Sequence, residues 1–437
     1  MKQDSQLRNN LKSIRTRLGM SQQDLAKLAG VTRQTISGVE SGQYAPSVTI
    51  TLHLAKALGC QVEDLFWFDQ DLQEVEATLA KSVPCNQQIR VSLARVGGQW
   101  IAYPLVGQDA FRLEMIPADG EAVAPAQTLS QKNTRLLSVE AETLDQELPP
   151  IQSKGLRPAK RKLPKSERMN AGEGNTPGYP EREKQVGTDK VLVKLVYDNI
   201  DAIQNTVVIA GCAPVISLWG RTTERWHPQL RVQYNFANSM AALHSLCRGE
   251  AHIAGMHLYD PETGEHNTPF VRKVLNERAA VLITLGVWEE GLIVQPGNPM
   301  GIKTISDVVE TKASIVNREL GAGSRMLLER TLQKKQIPFQ AVKGFDRIVN
   351  SHHHVAEAVF TGIADVGIST ASVAATFGLE FIPLHSSRYD LVILKEYLEE
   401  APVQQLLSTL GHRLVHSQLE VLGGYDTSKT GDVVATV

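Results

Sequence analysis

Four cysteines in 437 residues, Cys60, Cys85, Cys212 and Cys247, stand far apart with no Cys-x-x-Cys pair. That spacing argues against a disulfide framework or a zinc site and predicts buried free thiols in a reducing cytosol. No apolar run is long enough to span a bilayer; the longest, around Ala279 to Trp288, falls well short. Behind Met1-Lys2-Gln3-Asp4-Ser5 there is no apolar h-region, so the expectation is a cytoplasmic chain with no secretory signal and no membrane partner. The formal net charge is −2, so any nucleic-acid affinity must come from local charge. Signatures of chemistry are also missing. No Gly-x-Gly-x-x-Gly follows a strand, there is no Walker loop, and Gly-x-Ser-x-Gly is absent. The expectation is a non-enzyme with no catalytic residues, no cofactor and no metal.

What is present begins at Met20 to Gly42, which reads as two short helices around a tight turn. Ser21 is a good N-cap with Asp24 in the first turn, and Leu25, Ala26, Leu28 and Ala29 form an apolar stripe. Gly30 ends that helix, Val31 plugs the turn and Thr32 caps the next. Ile36 and Val39 face inward, leaving Arg33, Gln34, Thr35 and Ser37 outward near a helix N-terminus, as in a recognition helix. Leu7, Leu11, Ile14 and Leu18 mark a preceding helix, and Pro46-Ser47 opens another carrying Ile50, Leu52, Leu54, Ala55 and Leu58. Residues 1–68 hold eight Lys/Arg against five acids, a mild +3 suited to phosphate contacts.

Residues 7 to 66 resemble the XRE (Cro/C1-type) helix-turn-helix family. The motifs are Ser21-Gln22-Gln23-Asp24-Leu25-Ala26, Val31-Thr32-Arg33-Gln34-Thr35-Ile36-Ser37, Glu40-Ser41-Gly42 and Leu54-Ala55-Lys56-Ala57-Leu58-Gly59. The resemblance implies a double-stranded DNA operator read by a homodimer on an inverted repeat. The expected DNA-binding residues are Gln22 on phosphate, Arg33, Gln34 and Thr35 on base edges, with Thr32 and Ser37 beside them.

After this 1–68 head, Asp69 to Ser82 patterns as a connector helix. It leads into a small β-rich element that completes 69–146, with alternation in Ile89 to Val96, the Gly97-Gly98 turn, and strands at Trp100 to Leu105 and Leu113 to Pro117. Dimerisation, docking and plain packing all fit this element. Residues 147–188 lose the apolar pattern and read as a flexible basic linker, with Lys154, Arg157, Lys160, Arg161, Lys162, Lys165 and Arg168 against Glu167; a DNA-backbone tether and a solvated linker fit equally. From 189 to 437 strands and helices alternate, beginning with a lead-in helix from Asp189 to Gln204, and predict a two-lobed α/β domain with largely parallel sheets.

In parallel sheets ligands sit at the carboxyl ends of strands beside helix N-termini. Three loops fit: Gly211-Cys212-Ala213-Pro214, Asn238-Ser239-Met240, and Asn317-Arg318 through Gly321, Gly323, Ser324 and Arg325. Hydroxyls at helix caps and open glycine backbone make anion sites, while Arg325 alternatively braces Glu329 one turn along its helix. His352-His353-His354 invites a metal, but consecutive helix residues diverge and rarely chelate one ion; His257 and His266 lack carboxylate partners at ligand spacing.

Residues about 190 to 437 resemble the periplasmic-binding-protein-like domain related to molybdate-binding proteins. The motifs are Leu246 to Leu258, Gly264 to Asn267, Gly291 to Pro299, Val316 to Arg325, Val355 to Val359 and Ala364 to Gly367. The resemblance implies a small-molecule or oxyanion ligand, molybdate or tungstate foremost, and places Tyr389 over the site. The family's acid in the first loop is replaced by Ala213. The fold expected is thus multi-domain: an all-α helix-turn-helix bundle, a small β element and a two-lobed α/β domain. The function expected is a one-component transcriptional regulator that senses a small ligand; the alternative is a small-molecule binding or scavenging protein with a non-regulatory helical head.

Overall fold

The computed structural model describes residues 7–68, 73–81, 83, 88–110, 115–123, 190–196 and 200–437. The expected linker 147–188, Cys85, and part of the connector and of the Leu113–Pro117 strand lie outside them. The described residues form two compact units, one of those up to 74 with 194–196 and one of those in 75–193 with 200–437. Among the described residues no helix is long and apolar enough to cross a membrane.

The first unit is a helical bundle: α1 (Leu11–Arg17), α2 (Gln22–Ala29), α3 (Arg33–Glu40), α4 (Val48–Leu58) and α5 (Val62–Leu65). Leu7 is not in the first helix. It starts β1 (Leu7–Asn9), which pairs antiparallel with β2 (Phe66–Phe68) and ties the ends of the bundle together. Local signals set each helix end. Ser21 and Asp24 form a reciprocal capping box, Thr32 and Ser47 cap α3 and α4, and Gly30 and Gly59 close α2 and α4 in the left-handed region. The core joins Leu11, Ile14, Leu25, Ala26, Ala29, Ile36, Val39, Leu54, Leu58 and Leu65. A bidentate ion pair clamps α1 to α3, with Arg15 Nε 2.5 Å from Glu40 Oε1. Burial alone would raise the Glu40 carboxyl; Arg15 and Gln22 hold it below its ordinary value.

In the second unit, β3 (Glu74–Leu79), β4 (Gln88–Val96), β5 (Gln99–Pro104), β6 (Gly120–Val123) and β7 (Lys190–Leu195) close a barrel in the order β3-β5-β4-β6-β7. Two expectations are corrected here. The expected connector helix contains β3, because Val75 and Ala77 alternate with exposed Glu74 and Glu76. The expected lead-in helix is β7 followed by a short α6 (Ile200–Gln204), because Val191, Val193 and Leu195 point one way and Lys190, Leu192 and Lys194 the other. Period two beat a polar composition in both. The barrel packs on the α/β domain. Ala94, Val96, Ile101 and Tyr103 join its core, Asp119 Oδ1 accepts from Arg231 at 2.6 Å, and the Tyr103 hydroxyl donates to the Glu250 carbonyl at 2.8 Å.

The α/β domain carries β8 (Thr206–Gly211), α7 (Val215–Trp226), β9 (Arg231–Phe236), α8 (Ser239–Cys247), β10 (Ile253–Met256), α9 (Thr268–Leu275) and β11 (Ala280–Val294). It continues through α10 (Ile305–Glu310), β12 (Ile315–Arg318), α11 (Gly323–Lys334), β13 (Ile348–Val349), α12 (His352–Phe360), β14 (Val366–Thr370), α13 (Ala371–Phe377) and β15 (Glu380–Leu394), then closes with three helices and two short strands on β11. The sheet order is β13-β12-β14-β11-β15-β10-β8-β9. It is mixed rather than largely parallel. Parallel β8, β9 and β10 form one lobe and parallel β12, β13 and β14 the other, joined by the antiparallel 15-residue strands β11 and β15, which run through both. Each lobe has its own apolar core. Gly291 is required by close approach, since a Cβ there would lie 2.1 Å from the Ile382 carbonyl oxygen.

Candidate functional site

The expected site residues fall in two places. On the helical head, Thr32, Arg33, Gln34 and Ser37 are exposed and Thr35 half-buried, with Ile36 and Val39 inward. The Thr32 hydroxyl accepts the Thr35 N–H at 3.1 Å and pairs with the Thr35 hydroxyl, so both serve the helix start. Gln22 is tied between elements: its amide donates to Glu40 at 2.9 Å and accepts from Arg33 Nε at 3.5 Å. That chain Arg15–Glu40–Gln22–Arg33 braces the first exposed side chain of α3.

The second is the cleft between the lobes, closed in this structure, where both meet β11 and β15. At its centre lies Glu290, only 1% exposed and not foreseen from sequence. Its carboxylate accepts from Ser324 Oγ at 2.8 Å, Ser387 Oγ at 2.6 Å and His257 Nδ1 at 3.1 Å. Burial alone would raise this carboxyl and lower the His257 imidazolium. The two charges facing each other reverse both, holding Glu290 well below the carboxylate range and pushing His257 up to about 10. Both serines expected to hold a ligand are therefore turned inward: Ser324 donates to Glu290, and Ser239 Oγ accepts the His257 backbone N–H at 3.2 Å.

The other expected residues divide by place. Gly211 and Gly255 make room for the Tyr389 hydroxyl, which a Cβ would meet at 2.6 and 2.2 Å, and which accepts the Cys212 N–H at 3.3 Å. Gly323 admits the His257 ring, 2.6 Å from where a Cβ would stand. Asn238 caps α8 and donates across to the Leu320 carbonyl at 3.2 Å, while the Met240 N–H reaches Gly321 O; these bonds hold the lobes together. Asn317 ties its own strand end to Phe345 and Arg318 N, and Arg325 braces Glu329 at 2.8 Å and the Arg318 carbonyl, away from the centre. Arg318, 2% exposed, binds Glu319 and Asn350 and leaves Nη1 without a partner among the described residues.

Histidines set aside in the sequence come together here. Cys212, His257 and His352 place one donor atom each within 4.8 Å of one another, all three residues buried. Of the His352-His353-His354 run only His352 lies in this group, since consecutive helix residues point in different directions. Farther along the cleft, His266 and His385 stack at 5.8 Å, both 5.0 Å from the Tyr259 ring, with the Arg330 guanidinium 4.6 Å over that ring. His266 Nδ1 and His385 Nε2 are buried without partners among the described residues. Burial first, then the cations Arg388, His385 and Arg330, push His266 down to about 4.

This sets a pH dependence. Between about 4 and the unfolded value near 6.5 the unfolded chain binds the extra proton, so this residue's contribution to stability is present above that window and falls away as pH drops through it. His266→Gln is expected to flatten the acid limb of Tm against pH, measured by calorimetry between pH 4 and 7.

Helical head and two-lobed domain together define a DNA-binding head joined to a ligand-binding module. The helix-turn-helix family matches residues 11–65 and the PBP superfamily domain matches residues 220–411. Over 65 residues the chain is 40% identical to the uncharacterized HTH-type transcriptional regulator YgzD of Bacillus subtilis (strain 168), covering 15% of this chain and 98% of that one. Over 201 residues it is 35% identical to the uncharacterized protein YvgK of the same organism, covering 46% of this chain and 64% of YvgK, just under two thirds of that relative's length. Among solved structures, an ABC-type phosphate transport receptor from Vibrio cholerae aligns at 16% identity and TM-score 0.35, over 50% of this chain and 98% of that one. The chain belongs to the helix-turn-helix transcriptional regulators and carries a PBP superfamily domain C-terminal to its DNA-binding head.

Proposed function

We propose that the chain is a cytoplasmic one-component regulator, acting as a homodimer, whose cleft binds a small effector and thereby changes operator affinity. The observation that carries this reading is the cleft itself: buried polar side chains from both lobes converge there, so an effector contacting both changes how they close. For the effector, a small oxyanion such as molybdate or tungstate is the first reading, held along the outer cleft. Arg330 over the Tyr259 ring there supplies a cation beside the His266 and His385 nitrogens that lack partners among the described residues. Ser324 is the weaker candidate, since its proton already goes to a carboxylate.

Calorimetry on the full chain with molybdate, tungstate, sulfate and phosphate tests the oxyanion. Arg330→Gln is expected to weaken binding by about 1.5–3 kcal/mol, as loss of a charge-assisted bond. No heat with any of the four removes the oxyanion. Operator DNA whose affinity is indifferent to every cleft ligand favours the scavenger reading instead.

A further inference from the structure

We propose that Cys212, His257 and His352 bind a single borderline transition-metal ion, Zn²⁺ by the donor set, and that the ion staples the two lobes together. The proposal deepens the reading of the cleft as the effector site and rests on it only for the regulatory consequence.

One thiol and two imidazoles suit zinc and other borderline-to-soft metals and are poor ligands for Mg²⁺ or Ca²⁺. Their donor atoms lie within 4.8 Å of one another. Bonds of about 2.0–2.3 Å in a tetrahedral site put donors about 3.3–3.6 Å apart, so closure by roughly an ångström, within rotamer adjustment, completes the set. Three ligands leave the fourth position open for water or an effector atom.

Both imidazoles are prepared from behind. His257 Nδ1 faces Glu290 at 3.1 Å, the carboxylate–histidine arrangement that orients a ligand ring, and a metal ion takes Nε2 by displacing the imidazolium's second proton. Ser369 Oγ lies 3.4 Å from both His352 Nδ1 and the His352 carbonyl, and the tautomer with its proton on Nδ1, which leaves the lone pair on Nε2, satisfies both contacts with one hydroxyl. That Nε2 is buried with no partner among the described residues, in a residue 1% exposed. An imidazole lone pair in such a place costs free energy unless something binds it.

The ligands also come from both lobes. Cys212 and His257 directly follow β8 and β10, adjacent strands of the first lobe, whereas His352 opens α12 of the second. An ion held by all three favours the closed cleft over any arrangement that parts them.

The test is a Co²⁺ titration of the reduced, chelator-treated full chain, followed by Zn²⁺ displacement. One Co²⁺ per chain is expected, with a thiolate-to-metal charge-transfer band and intense visible bands of a tetrahedral centre, all abolished by Zn²⁺. Cys212→Ser should remove the charge-transfer band, and His352→Gln should weaken binding at least tenfold while keeping that band at saturation. Circular dichroism confirms that each variant is folded. Absence of a saturable band in the parent, or a band unchanged in both variants, overturns the proposal. Operator affinity measured in the same samples separates the two readings: a metal site that leaves it unchanged upholds the site and counts against the cleft as a regulatory switch.

Discussion

Glu290→Gln lowers the stability of the α/β domain by about 3–5 kcal/mol, the cost of removing one partner from a buried ion pair. The carboxylate has three donors aimed at it, and an amide carries only one acceptor oxygen, so its NH₂ must face a serine hydroxyl or the His257 ring. In the metal-free protein the His257 charge is then left without its counterion in a site 3% exposed. Thermal unfolding of parent, Glu290→Gln, His257→Gln and the double variant measures this directly. The double variant should be less destabilised than the two singles predict, with a coupling of about 0.5–3 kcal/mol, because neither charge remains to be stranded. Strict additivity would mean that the pair does not act as one.

The difference between what the sequence reveals in the head and in the cleft has a physical cause. Ser21, Gly30, Thr32, Ser47 and Gly59 act on residues three or four positions away, so each helix boundary in the head is written locally. The barrel strands β3 and β7 are hidden because half of each faces solvent and carries Glu or Lys, giving a composition that mimics a polar helix. The strands β11 and β15 read as separate pieces because they pass through two lobes, β11 buried on both faces almost throughout and β15 only in its second half. The centre of the cleft is least legible of all. Glu290, His257, Ser324, Ser387, Cys212 and His352 come from six separated segments, and the pair Glu289-Glu290 between two apolar runs looks like a break between strands. Only the fold of β11 between the lobes turns Glu290 inward. The carboxylate His257 meets lies 33 residues on, across the sheet, whereas Asp260, three residues away, is used by its own loop.

Arg33→Ala and Gln34→Ala each weaken operator binding by about 1–3 kcal/mol per half-site if the side chain makes a bidentate base contact. In a dimer every substitution is made twice, so the complex loses up to about twice that. The two changes are expected to differ in kind. Gln34 is uncharged and exposed near the start of α3, so its loss should relax base preference at one position per half-site and leave the salt dependence of binding unchanged. Arg33 also contributes a positive charge and is braced by Gln22, which is held in turn by Glu40 and Arg15. Its loss should lower both specific and non-specific affinity. Gln22→Ala, which removes the brace and not the contact, should then reproduce a fraction of the Arg33→Ala effect at the same base position. Fluorescence anisotropy against a selected operator and its single-base variants, at two or more salt concentrations, distinguishes these outcomes. Footprints on an inverted repeat with half-sites about one helical turn apart fit the homodimer. Unchanged binding in both Arg33→Ala and Gln34→Ala would move the reading surface off α3, since no other residue of that helix is both as exposed and as near its N-terminus.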